Sequence, residues 1–155
     1  MQLLRAVWSF GSNISKMVHL WKLYCLCILE QSCVVWGSNL TQEDKENLER
    51  TQKSFAKLVL QEKYNDYPSA LDMLGLETLE NRRDMLMTRF AENSIKNNKL
   101  NKLFKLRTKE HHMELRTEEK YQVTKARTER LNKSSIPYMQ RLLNRNHKEE
   151  QTKKD

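Results

Sequence analysis

KMVHLWKLYCLCILEQSCVVW, residues 16–36, is the stretch on which the fold class turns. At helical spacing Leu20, Leu23, Tyr24, Cys27, Ile28, Val34 and Val35 fall on one broad apolar face. Trp21, Cys25, Leu29 and Trp36 lie on the other side, with only Lys22 and Cys33 between them. The spacing predicts a helix from Lys16 to Trp36, ended by Gly37 and apolar almost all round. Such a helix needs cover on both sides. A chain with 38% hydrophobic residues and a mean hydropathy of -0.83 has little to supply it. Trp21, Leu29 and Trp36 are therefore expected to dock on a partner surface.

Downstream, Thr41 is placed to cap a second helix, with Glu43, Asp44 and Glu46 near its positive end. Leu48, Phe55, Leu58 and Val59 form the buried stripe of that helix. Pro68 suits the first turn of a short helix over Ser69–Leu74, and Gly75 its left-handed stop. Thr78 then caps a long helix to about Asn97, with Leu79, Leu86 and Phe90 as its stripe. Beyond Asn97 the pattern weakens into small apolar islands, and Asn144–Asp155 is expected to be disordered.

Three glycines and two prolines in 155 residues leave few breaks. Average usage would be about 12% for the pair. The expected fold is all-α: three to four packed helices with a weakly structured, basic C-terminal extension. The expected organisation is a leader segment over residues 1–15, a helical region over 16–98 and the basic extension over 99–155. The length suits one domain better than two.

The net charge of +8 is uneven. Residues 1–40 carry three basic and one acidic side chain, 41–100 carry ten and eleven, and 101–155 carry fifteen and eight. A basic final third points to a polyanion, with the RNA or DNA backbone the commonest. The candidate nucleic-acid-binding residues are Arg82, Arg83, Arg89, Lys96, Lys99, Lys102, Lys105 and Arg107, with Phe104 and Tyr121 available to stack on bases. A lysine-rich solvated surface is the competing reading.

Catalytic patterns are wanting. Cys25, Cys27 and Cys33 have neither ligand-pair spacing nor a secretory leader, so reduced thiols, no metal and no cofactor are expected. No two glycines lie closer than 26 residues, which excludes a phosphate-cradling loop. Asp44, Asp66, Asp72, Asp84 and Asp155 are dispersed, so two-metal nucleotidyl transfer has no carboxylate cluster. No enzymatic activity of its own, no small-molecule substrate and no membrane partner are expected. The longest unbroken apolar run, Leu23–Leu29, is far short of the roughly 18 residues a bilayer needs. An intracellular location, cytoplasmic or nuclear, follows as an expectation.

Six stretches carry a resemblance. Ile28-Leu29-Glu30-Gln31-Ser32-Cys33-Val34-Val35-Trp36, Leu48-Glu49-Arg50-Thr51-Gln52-Lys53 and Leu74-Gly75-Leu76-Glu77-Thr78-Leu79-Glu80-Asn81-Arg82-Arg83 resemble, in order and spacing, the segment after the palm in non-LTR retrotransposon reverse transcriptases. Met113-Glu114-Leu115-Arg116, Glu119-Lys120-Tyr121 and Ile136-Pro137-Tyr138-Met139-Gln140-Arg141-Leu142-Leu143-Asn144 resemble the closing stretch of the same polyproteins. The similarity covers about residues 10–147. It implies a thumb-like or connecting region of an RNA-directed DNA polymerase that supports template and primer, with the palm domain as a neighbour. The family's catalytic aspartates and endonuclease have no counterpart in this chain. A stand-alone helical module that docks on another protein surface is the alternative.

Overall fold

The computed structural model describes residues 2–107 and 119–152. His111, His112 and the stretch 113–116 lie outside the described residues. In chain order the helices are α1 (Gln2–Ser9), α2 (Ile14–Leu20), α3 (Cys27–Glu30), α4 (Cys33–Trp36), α5 (Gln42–Leu60), α6 (Tyr67–Leu74), α7 (Leu79–Lys96), α8 (Glu129–Asn132) and α9 (Ser135–Thr152). A π-helical segment, Trp21–Leu26, joins α2 to α3. An isolated antiparallel bridge, Leu106 with Tyr121, is the only β pairing among the described residues. The fold is all-α.

The chain divides into two compact units, Met1–Cys33 with Leu40–Arg83, and Val34–Asn39 with Asp84–Asp155. Neither matches the expected division at residues 15 and 98. Leu4 of α1 is buried in the core of the first unit, so the N-terminal segment is packed and not a free leader. The second part of α7 groups with the basic region because Met87 and Ala91 pack with Phe104, Met139, Leu142 and Leu143.

In the first unit, local signals set the helix ends. Thr41 Oγ1 accepts the Asp44 N–H at 3.2 Å, and Asp44 Oδ2 accepts the Thr41 N–H at 3.2 Å, which closes a capping box. The Thr41 hydroxyl adds a bond to the same carboxylate at 2.7 Å and holds the Asp44 carboxyl below its ordinary range. Asp66 caps α6 through the Ser69 N–H at 3.2 Å. Gly75, at φ +59°, ends that helix, and the Leu76 N–H returns to the Leu71 carbonyl at 3.0 Å. Thr78 accepts the Asn81 N–H at 3.2 Å and caps α7.

Between these helices lie Met17, Trp21, Leu26, Phe55, Ala56, Val59, Leu71 and Leu74. Trp21 stacks on Phe55 with centroids 4.4 Å apart and planes at 13°. A buried polar thread runs beside this core. Gln52 Nε2 donates to the Glu77 carbonyl at 2.8 Å and to the Tyr67 hydroxyl at 3.2 Å. Tyr67 donates in turn to the Glu49 carboxylate, whose other oxygen accepts the Glu80 N–H at 3.2 Å. One carboxylate of α5 thereby satisfies an otherwise partnerless N–H at the start of α7. Burial and the neighbouring Glu49 push the Tyr67 phenol well above its usual range.

The single helix expected over residues 16–36 is a correction. It breaks at Gln31-Ser32, where Ser32 takes φ +55°, and Gly37 lies buried in a 3-10 turn after the break. The π segment also shifts the phase. Buried positions run Met17, Trp21, Leu26, a step of four and then of five, as an i to i+5 turn requires. Trp21 is thus fully buried in its own chain, and Leu29 and Cys25 are half-buried against the same core. Leu23, Tyr24, Cys27 and Ile28 face outward, with Tyr24 62% and Ile28 73% exposed. The expected docking residue Trp21 cannot meet a partner, and the apolar face that can is the opposite one. Trp36, in the second unit, is half-buried.

In the second unit α9 supplies the core residues Met139, Leu142 and Leu143, and two buried amides beside them. Gln140 accepts the Thr124 N–H at 2.7 Å and donates to the Leu103 carbonyl at 2.7 Å. Asn144, one turn on, accepts the Tyr121 N–H at 2.9 Å and donates to the Tyr121 carbonyl at 3.0 Å. These amides do for the segments 103–106 and 121–124 what a neighbouring strand would do, satisfying backbone groups that burial would leave orphaned. Tyr138 donates to Asp84 on α7 at 2.7 Å, and Ser135 to the Val35 carbonyl at 2.7 Å. The expected disorder from Asn144 onward is corrected as well: the helix continues to Thr152, carried by the packed turns before it.

Candidate nucleic-acid interface

The charge follows the division into units. The first unit holds ten basic and ten acidic residues and is neutral; the second holds eighteen and ten and carries the whole net charge of +8. The eight candidate cations divide in the same way.

Arg82 and Arg83 belong to the first unit, where the first is paired and the second is enclosed. Arg82 forms a two-pronged ion pair with Glu30, its Nη2 reaching Oε2 at 3.1 Å, and the carboxylate raises the guanidinium's pKa. Arg83 is 4% exposed, and its Nη2 has no hydrogen-bond partner among the described residues. A phosphate cannot reach a side chain so enclosed. Their place near the start of α7, unfavourable to cations, is explained for Arg82 by Glu30 from α3; nothing on the described residues explains it for Arg83.

Arg89, Lys96, Lys99, Lys102, Lys105 and Arg107 belong to the second unit, and all six are exposed. Asn97 ends α7 by accepting the Leu100 and Asn101 N–H groups on its carbonyl at 3.1 and 2.9 Å, and the Lys99 N–H on its side chain at 2.9 Å. A 3-10 turn, Asn101–Leu103, follows, and Phe104 inserts into the core at 4% exposure. That anchor turns Lys102 and Lys105 outward on either side of it. Arg107 is tied to the bridge by its N–H to the Lys120 carbonyl at 3.0 Å, and its side chain lies 3.8 Å from Glu119. Both side chains of that pair are about half exposed, so the pairing is weak enough for a phosphate to replace it.

Phe104, expected to stack on bases, is a core residue instead. Tyr121 is half-buried, with Lys120 Nζ 5.7 Å above its ring. Lys125, Arg127 and Arg130, absent from the expected set, are exposed in the same unit. The charge count of the last third was the signal for them.

Among the described residues, no group of three or more His, Cys, Asp or Glu side chains could hold a metal ion. An open cleft of about 550 Å³ in the first unit is lined by Val7, Ser12, Ser15, Lys16, His19 and Leu20, with the Ser12 hydroxyl donating to the Val7 carbonyl at 2.9 Å. No single helix among the described residues is long and apolar enough to cross a membrane. Comparison with family models, curated proteins and solved structures returns no match to this chain.

Proposed function

We propose that the chain is a non-catalytic part of a retrotransposon-type RNA-directed DNA polymerase, the region after the palm, and that its second unit holds the backbone of template or primer. The observation that carries this reading is the separation of charge: one helical unit is neutral, and the other carries net +8 with six exposed candidate cations. Phosphates neutralised by such cations release condensed counterions, so binding is sequence-indifferent and steeply dependent on salt. With six contacts, affinity for a labelled RNA hairpin falls about 10³-fold between roughly 50 and 200 mM salt. Fluorescence anisotropy measures this directly. Absence of binding at about 50 mM salt would end the proposal.

A second reading is supported by the outward face of the first unit, where Leu23, Tyr24 and Ile28 are 51%, 62% and 73% exposed. A protein surface, the palm domain under the first reading or another partner under the second, would cover this face. The two readings part on the salt dependence of nucleic-acid binding, which the second does not require.

A further inference from the structure

Resting on the nucleic-acid reading, we infer that the exposed side of α7 takes an unpaired nucleotide, with Phe90 as the stacking platform. Phe90 is 42% exposed in a unit whose other phenylalanine, Phe104, is buried. An aromatic ring left half in water costs hydrophobic stabilisation that burial would recover. The helix has no packing reason to present it, because Met87 and Ala91 supply the inward face. Around the ring the chemistry suits a base and its phosphates. Asn93, three residues on and exposed, lies beside Phe90 on the same side of the helix, and its amide has no hydrogen-bond partner among the described residues. Arg89 and Lys96, four residues before and three after Asn93, lie on the side of Asn93 away from the ring, about 10.5 Å apart along the axis at 1.5 Å per residue. Glu92, the acid of this exposed arc, lies on the far flank of Arg89 from Phe90. The Ser94 hydroxyl donates to the Phe90 carbonyl at 2.8 Å, which gives that carbonyl a second partner and steadies the turn.

The division of labour is direct. Phe90 stacks on one base face, which every base offers; Asn93 bonds to the base edge; Arg89 and Lys96 hold the adjoining phosphates. A duplex keeps its bases stacked inside and offers the ring nothing, so Phe90 selects single-stranded over paired nucleic acid while the cations serve both. The occupant is an unpaired stretch of the strand that the second unit holds, and not a protein, because that unit carries the whole net charge of +8 and Asn93 lies between the ring and two exposed cations of the same helix.

The test uses the full chain with two fluorescein-labelled probes, a 12-nucleotide RNA of mixed sequence and a hairpin whose bases are all paired or capped in a tight loop. Phe90→Ala should weaken the single-stranded probe about 5- to 140-fold, the span of one stacked base, and leave the hairpin within about twofold. Phe90→Trp should retain or improve single-strand binding. Equal loss on both probes, or loss on neither, overturns the inference while leaving the backbone-binding reading intact. A change in the size of the chain in solution on Phe90→Ala, with binding unaltered, also overturns it by showing that the ring meets protein. Failure of the unsubstituted chain to bind either probe removes both. Thermal melting of each variant separates these outcomes from misfolding: Phe90→Ala should lose only a few degrees, because the ring is already partly solvated.

Discussion

Removing the side chain of Asn144 tests how the basic unit is held together. The amide is 5% exposed and makes two bonds to the backbone of Tyr121, at 2.9 and 3.0 Å. Each such bond contributes about 0.5–1.5 kcal/mol net, so Asn144→Ala should cost about 1–3 kcal/mol. For a chain of this length that is a loss of about 2–4 °C in melting temperature per kcal/mol. The Tyr121 amide hydrogen should exchange faster in the variant by more than the loss of global stability accounts for, which is the local signature of the broken clamp. Asn144→Asp makes a sharper test. Its carboxylate still accepts the Tyr121 N–H, but its second oxygen faces the Tyr121 carbonyl, where only a donor is welcome. Burial and that carbonyl raise the folded-state pKa above the ordinary value of about 3.9. Below about pH 3.9 both states are protonated and the acid donates as the amide did, so the deficit relative to the parent nearly vanishes. As pH rises from there toward the folded pKa the deficit grows by up to about 1.4 kcal/mol per unit, and above it stays constant. Urea melts of parent and variant across pH 3–8, compared as differences, read this curve. A deficit independent of pH, or an Asn144→Ala cost below about 0.5 kcal/mol, would refute the amide clamp.

Other substitutions probe the remaining supports. Gly75→Ala should cost about 1–2 kcal/mol in a chemical melt, because φ +59° disfavours a Cβ although no atom lies within 4 Å of where it would sit. Trp21→Ala should cost about 3–5 kcal/mol, since the indole is fully buried and stacked on Phe55; retention of parental stability would mean that this face is not the core. Arg82→Gln should leave nucleic-acid affinity within about twofold, because its guanidinium is held by Glu30, whereas Arg89→Gln should lower the salt slope by about one.

Much of the fold was legible because its helix ends are written locally. Thr41 with Asp44, Pro68 with Gly75, and Thr78 act within three or four residues of the bonds they make, and the structure uses each as expected. The phase of the first apolar stretch was not legible. A wheel at 3.6 residues per turn sends Trp21 and Leu29 outward, and one π turn between Trp21 and Leu26 reverses the assignment. Ser32 is a poor residue for positive φ, so no local signal announced the break before Cys33. Long-range polar partners were equally hidden. Glu49 and Gln52 look like surface residues of α5 until Tyr67 and Glu77 arrive from elsewhere in the chain, and Gln140 and Asn144 acquire meaning only when segments 103–106 and 121–124 lie against them.

The stretches that carry the family resemblance include many of these supports: Glu30, Glu49, Gln52, Gly75, Thr78, Tyr138, Gln140 and Asn144 each hold an element in place. The candidate site was legible as charge but not as geometry. Counting basic residues located the excess, while burial and Glu30 decide that Arg82 and Arg83 stand apart from the six exposed cations.

The slope of log affinity against log salt for an RNA hairpin, measured for the full chain and for a variant combining Lys99→Gln, Lys102→Gln, Lys105→Gln and Arg107→Gln, bears on the central claim most directly. Six phosphate contacts give a slope of about -5 for the parent, and two remaining contacts give about -2 for the variant. Equal slopes in the two proteins would contradict the assignment of nucleic-acid binding to this surface.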